Sequence, residues 1–525
     1  MDRATNLAVH AIVPTDRMKQ VLRSCFVCWL ASCLASPLFA GSSLESTVSD
    51  PVWLSTALEQ ISVERMMADI RTLTAPAYQG RLTGSPQDEA SATFIANRFA
   101  DLRLQRSSTL SPENRTDPSP EREWKQTASV ATRTISEPSL MELLTAGDRH
   151  IFEAGSQFLP ILDSPSADIR GPVVFVGYGI VDPSSGIDDY AGVDVHNAVV
   201  LFLRGKPESY SKTVTHAEKE RLAKQRGAIG YLTATGPILS AYEQRRGVTG
   251  KPSAYYSTTA KDDQLPGAWI STETAEWLLA RATKESTTLH GIQETLNRLR
   301  SRSFTTDSTV QMKWTSQVGA GTLFNVISVI RGYAPNKDEA VLIGAHRDHF
   351  GQQAGLLFAG ADDNASGTAV LLEIARVLAL APAPAKRSVL FVSFSGEEQG
   401  LLGSKLYVSQ PIMPFEKTTV MINVDHAGAG NGRLTVGVTG LEKHTAQRIG
   451  ELAALADKLD VFGYFPGGDH VPFKEAGVPT VTVVSGGVHP HFHQPSDTAD
   501  RIDPEILRSV ARYALAVAWQ LANQP

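Results

Sequence analysis

Apolar positions change their spacing twice along the chain. Between residues 63 and 104 they recur every third or fourth place, as in Ala92-Thr93-Phe94-Ile95-Ala96-Asn97-Arg98-Phe99, the spacing of a helix that buries one face. Gly80-Arg81-Leu82-Thr83-Gly84-Ser85 interrupts the run and predicts a turn. Residues 105–125 are rich in Ser, Pro, Glu and Arg and predict a solvated loop at a boundary. From about 129, short apolar runs at 172–176 and 198–203 alternate with Gly-rich turns, a basic polar helix spans 216–226, and 227–232 predicts another strand. That stretch reads as a β-rich accessory domain. From about 322, near-continuous apolar strands at 340–343, 388–394, 418–424 and 479–484 are spaced by helices at 365–379 and 504–521. Such strands predict an α/β unit whose sheet is covered on both faces, with ligands at the carboxyl ends of the strands.

Composition narrows the field. The 525 residues are 42% hydrophobic, 20% charged and 7% aromatic, ordinary globular usage that excludes wholesale disorder and suggests two to four folded units. A net charge of −6 offers no footprint for nucleic acid. All three cysteines, Cys25, Cys28 and Cys33, fall in one apolar stretch after Lys19 and Arg23 and before Ser36-Pro37-Leu38-Phe39-Ala40, so no disulfide scaffold is available. The stretch has the build of a secretory signal over residues 1–40, cut after Ala40, and is too short to span a bilayer comfortably. Leu30-Ala31-Ser32-Cys33 offers an alternative end, a lipobox with acylation at Cys33. Both readings expect a periplasmic or extracellular protein with no transmembrane span in the mature chain.

The ionisable residues of the last third sit just beyond the predicted strands: His346, Asp348 and His349; Asp362 and Asp363 ahead of a helix; Glu397 and Glu398; Asp425 and His426; then His489, His491 and His493. Any one could be a cap or a turn, as Asp362 could cap its helix and Asp497 could close a turn. Five strand ends so equipped are costly to bury unless a cation neutralises them. Imidazole and carboxylate without sulfur suit zinc, with cobalt or manganese as substitutes. Two ions sharing a bridging carboxylate would use two His and three carboxylates and leave one Glu free.

Taken in order, Gly344-Ala345-His346-Arg347-Asp348-His349, Gly360-Ala361-Asp362-Asp363-Asn364-Ala365-Ser366-Gly367, Ser395-Gly396-Glu397-Glu398-Gln399-Gly400, Asn423-Val424-Asp425 and His493-Gln494-Pro495-Ser496-Asp497-Thr498 resemble the motifs of the M28 zinc aminopeptidases, including members with an inserted protease-associated (PA) domain. The Gly80 to Ser85 segment, Gly177-Tyr178-Gly179-Ile180 and Asp188-Asp189-Tyr190 add to the resemblance. It implies a mixed, mostly parallel sheet of the zinc-peptidase type and two zinc ions per chain. Asp363 would bridge them, one ion taking His346 and Asp425 and the other Glu398 and His493. Glu397 would be the general base, and Asp348 would accept the second N–H of His346. Substrates would be peptides with a free amino terminus. The implied organisation is a signal at 1–40, an amino-terminal catalytic part at 45–125, a PA-type insert at 126–310 and the rest of the catalytic domain at 311–525. One departure stands out: many relatives place Tyr before the last His, where its hydroxyl can serve the oxyanion, and here that residue is Phe492. His489 and His491 are the candidate replacements, and His470 matches a segment near the site. Two alternatives carry different chemistry: a glutamate-type carboxypeptidase of the same superfamily, against which only one further helix follows His493, and a non-catalytic receptor-like relative, which would have lost ligands.

Overall fold

The computed structural model describes residues 51–106, 124–145, 148–240, 243–244, 247–280, 288–333, 335–464 and 466–524. The signal read at 1–40 and its lipobox lie outside them. Among the described residues no helix is long and apolar enough to cross a membrane.

Three helices come first, α1 (Pro51–Glu59), α2 (Val63–Leu73) and α3 (Pro86–Asp101). Ser62 and Ser85 start α2 and α3 by accepting the backbone N–H of Arg65 and Asp88, with Pro86 in the first turn of α3. The predicted turn at 80–85 lies between them. Next come β1 (Lys125–Thr145), β2 (Phe158–Pro160), β3 (Ala167–Val176), β4 (Val199–Leu203), α4 (His216–Gln225), β5 (Gly230–Ala234), β6 (Gly267–Ile270), α5 (Thr272–Ala280) and α6 (Leu289–Asn297). The strand expected from 227 starts at Gly230 because Gly227, left-handed at φ 86°, closes the end of α4 first. The last stretch runs β7 (Ser303–Ile330), β8 (Ala340–His346), α7 (Gly367–Ala379), β9 (Ser388–Phe394), α8 (Leu402–Ser409), β10 (Thr418–Asp425), β11 (Leu434–Thr439), α9 (Lys443–Leu452), β12 (Leu459–Phe462), α10 (His470–Glu475), β13 (Thr480–Ser485) and α11 (Pro504–Asn523).

The strands join one mixed sheet, in the order β12-β11-β13-β10-β8-β9-β7-β3-β4-β5-β6-β2, with β1 paired to β7 off that path. β8 shows how both faces are covered. Val341, Ile343 and Ala345 pack with α2, α3, α7 and α11, while Ala340 and Leu342 face Tyr407 of α8 and Phe473 of α10. Every residue of β8 and β9 is buried, which explains their continuous apolar runs.

β7 was not foreseen. Its last residues, 326–330, pair with β9, its middle with β1, and its first part with β3. One strand of 28 residues therefore runs hydrogen-bonded from the sheet of the carboxyl-terminal part into that of residues 158–270. The boundary expected at 310 falls inside it. Residues 158–270 form cores of their own, yet one of these also takes in Phe350 and Phe358 from the loop beyond His346.

Candidate active site

β8 ends on His346 and β10 on Asp425; β9 leads into Glu397 and Glu398, β13 into the loop of His489 and His493, and the segment Ala361–Ser366 before α7 carries Asp362 and Asp363. β8 is parallel to β9 and β10, and β10 to β13, so their carboxyl ends share one edge. There His346 Nε2 lies 3.3 Å from Asp363 Oδ1 and 3.4 Å from Asp425 Oδ1. His493 Nε2 lies 3.1 Å from Asp363 Oδ2 and 3.4 Å from Glu398 Oε2. The two oxygens of Asp363 thus face two different imidazole–carboxylate pairs. Glu397 and both groups line one cleft of about 530 Å³.

The other ring nitrogens show what these contacts require. His493 Nδ1 donates to the Ala254 carbonyl at 2.9 Å, and His346 Nδ1 lies 3.3 Å from the Asp348 carbonyl oxygen. With Nδ1–H spent on a carbonyl, each Nε2 turns a lone pair toward two carboxylates, an arrangement that only a proton or a cation makes favourable. Donors about 3.3 Å apart are also the edges of a tetrahedron with bonds of about 2.0–2.1 Å. The donor set fits zinc.

Asp348 differs from expectation. Its Oδ1 stands 3.6 Å from His346 Nδ1, beyond hydrogen-bond length, and the nearer acceptor is its own carbonyl. The carboxylate instead accepts Thr83 Oγ1 at 2.9 Å and the backbone N–H groups of Glu397 and Glu398 at 3.3 and 3.4 Å. It holds the glutamate loop and reaches the imidazole through the backbone. Asp362 is no helix cap: its oxygens take the Gly428 N–H at 2.7 Å and meet His489 Nδ1 at 2.6 Å, because the chain between it and α7 is not helical. Asp497 is more than a turn residue, since it is buried and accepts the N–H groups of Asp362 and Asp363 at 2.9 and 3.1 Å. His349 Nδ1 contacts Glu398 Oε1 at 2.7 Å. His491 is turned to Ser496 at 2.9 Å, and His470 lies at the start of α10, its ring 6.1 Å from Tyr464.

The segment Gly80 to Ser85 supports these loops from below. Arg81 is fully buried, donating to the carbonyls of Leu73, Ala359 and Gly360 at 2.7, 2.7 and 2.8 Å and to that of Arg347. Gly80 is obligatory, being left-handed at φ 72° with the space for a Cβ filled by the Phe358 carbonyl. Arg347, also buried, pairs with Asp88 at 2.8 Å.

Electrostatics follow from this crowding. Burial opposes charge on Asp363, but His426, His346 and His493 hold its carboxyl well below the usual range. Burial would lower His346, yet Asp425, Asp348 and Asp363 raise it well above the ordinary imidazole value. Glu397 is pushed up to about 8, chiefly by burial, with His346 opposing and Asp469, Asp425 and Asp363 adding. A carboxyl so displaced, beside two metal-type groups and outside both, suits proton transfer near neutrality. The sequence assigned no role to His349, His426 or Asp469; the first two adjoin predicted residues within their motifs, which was the available signal.

Residues 325–518 match the sequence model of peptidase family M28. The chain is 31% identical over 207 residues to a probable leucine aminopeptidase of Arthroderma otae, and 31% identical over 176 residues to aminopeptidase YwaD of Bacillus subtilis. These alignments take in 37% and 31% of this chain and span only 57% and 38% of the relatives' own lengths. Solved structures reach further. An aminopeptidase from Aneurinibacillus sp. strain AM-1 superposes with a TM-score of 0.61 at 22% identity, over 90% of this chain and 97% of that one. A peptidase M28 precursor from Shewanella amazonensis gives 0.64 at 18% identity, over 91% and 98%. The chain therefore has the mixed α/β fold of these peptidases across almost its whole described length.

Proposed function

We propose that this protein is a metallo-exopeptidase, a zinc aminopeptidase that removes amino-terminal residues from peptides. The observation that carries the reading is the pair of imidazoles, each committed at Nδ1 to a carbonyl and turned at Nε2 on two carboxylates, with Asp363 common to both. His346 and Asp425 would hold one ion, Glu398 and His493 the second, and Asp363 would bridge. Bound there, the two ions would polarise the scissile carbonyl and acidify a shared water. Glu397 lies outside both ligand sets and takes the water proton, then returns it to the leaving amine. Asp348 keeps Glu397 and Glu398 in place through their backbone N–H groups, and Asp497 does the same for Asp363. Export by residues 1–40 and a PA-type insert at 126–310 complete the proposal, both supported by the sequence pattern; the matching relatives bear aminopeptidase names.

The test is a panel of peptides with free and acetylated amino termini, assayed with and without a chelator. Stepwise release of amino-terminal residues from the free peptides only, lost on chelation and restored by zinc, is expected. Equal cleavage of acetylated peptides, or release from the carboxyl end, would refute the aminopeptidase reading.

A further inference from the structure

Beside the two imidazole–carboxylate groups stands a third, Asp362, His426 and His489. Its closest contact is a hydrogen bond between His489 and Asp362. His489 Nδ1 meets Asp362 Oδ2 at 2.6 Å, too close for the edge of a metal polyhedron, and its Nε2 donates to the Ser485 carbonyl at 3.1 Å. The Gly428 N–H on its other oxygen holds Asp362 in place, and His426 Nδ1 stands 3.5 Å from its Oδ2 without forming a hydrogen bond to it. His426 Nε2 points the opposite way, 3.7 Å from Asp363 Oδ2 and 4.0 Å from Asp425 Oδ1, on the cleft side of both. The backbone is set for this. His426 is left-handed at φ 43°, with its N–H on Asp425 Oδ1 at 3.0 Å and its carbonyl taking the Ser485 N–H at 2.9 Å.

Resting on the aminopeptidase reading, we propose that His426 is a catalytic residue whose Nε2–H donates to the oxyanion of the scissile peptide bond. Position 492 cannot do so, since the Phe492 ring has no donor; it stacks on His493 with centroids 3.6 Å apart and stands 5.3 Å from His426. His489 has both nitrogens engaged and His491 faces Ser496, so neither serves. In the reaction the water oxygen bonds to the carbonyl carbon, the π pair moves onto the carbonyl oxygen, and Glu397 receives the proton. His426 stabilises that oxygen as its charge develops. Collapse re-forms C=O, breaks C–N, and passes the Glu397 proton to the amine, releasing an amino acid and the shortened peptide.

The test compares the zinc-loaded wild type with His426→Asn, which tolerates the left-handed backbone but falls short of the cleft, with Phe492→Tyr, and with the double variant. Turnover, KM, zinc content and thermal melting are read for each. His426→Asn should keep two zinc ions and its melting temperature and lose about 10²–10³ in kcat, the usual worth of one oxyanion donor, with KM within about threefold. The double variant should recover at least about tenfold, because a phenol hydroxyl is returned beside the site. A kcat within threefold of wild type, or loss of zinc from His426→Asn, overturns the oxyanion role alone. An inert, metal-free wild type overturns the aminopeptidase reading and this role with it. If His426→Asn melts early, His426→Gln, which keeps a donor and more of the reach, must restore both folding and part of kcat, and failure to do so also overturns the role.

Discussion

Arg81→Met takes away the support beneath the site without touching the cleft. The guanidinium holds four buried carbonyls, one from each of Leu73, Arg347, Ala359 and Gly360. A charged hydrogen bond contributes about 1.5–3 kcal/mol, so four give a ceiling of about 6–12 kcal/mol. Two effects reduce it. Burying the cation is itself costly, as its pKa drawn down to about 10 by burial attests, and freed carbonyls can take up water. A net loss of about 3–5 kcal/mol remains, the usual cost of removing one partner from a buried charged network. Because Arg347 adjoins His346 and Gly360 lies three residues before Asp363, zinc affinity should fall about 10- to 100-fold as well, the scale of lost ligand support. Urea unfolding followed by circular dichroism, with competitive zinc titration of the folded variant, measures both. Stability within about 1 kcal/mol of wild type together with unchanged zinc affinity would show that the segment is not a support.

Other outcomes follow from single contacts. Glu397→Gln should retain zinc and lose about 10²–10⁴ in kcat; near-normal turnover in steady-state assays would remove it from the mechanism. Asp363→Ala should release both ions, and two zinc ions per chain by elemental analysis would rule out the bridge. Glu220, in α4, is raised to about 7 chiefly by burial, while accepting Thr259 Oγ1 and the Leu265 N–H. The unfolded chain gives up that proton near the ordinary pKa of about 4.3, so the group's contribution is full below there and is lost as pH rises through 7. Glu220→Gln, neutral throughout, should therefore gain on wild type between pH 4.5 and 7.5 by up to about 3 kcal/mol in urea melts, and a pH-independent difference would contradict the assignment.

The site was legible where local pattern determines it. Strands buried on both faces read as unbroken apolar runs, and their ends carry His346, Glu397, Glu398 and Asp425 to one edge by parallel pairing alone. Contacts that join distant segments left no such mark. Nothing near Ala254 announces that its carbonyl fixes the ring of His493, 239 residues away. β7 escaped because its first part alternates buried and more exposed positions, its middle against β1 is exposed or half-buried, and its end against β9 is almost wholly buried, so no single period describes it. The partners of Asp348 and Asp362 were not legible in the sequence because a carboxylate's choice among backbone N–H groups depends on how loops fold back, and spacing along one strand is silent on that.

The central claim is that Asp363 stands between two zinc ions. Crystals grown with zinc, with anomalous scattering recorded on either side of the zinc absorption edge, should show two peaks about 3.5–4 Å apart. One should lie against His346 and Asp425, the other against Glu398 and His493, each touching a different oxygen of Asp363. A single peak, or density only among Asp362, His426 and His489, would contradict the account.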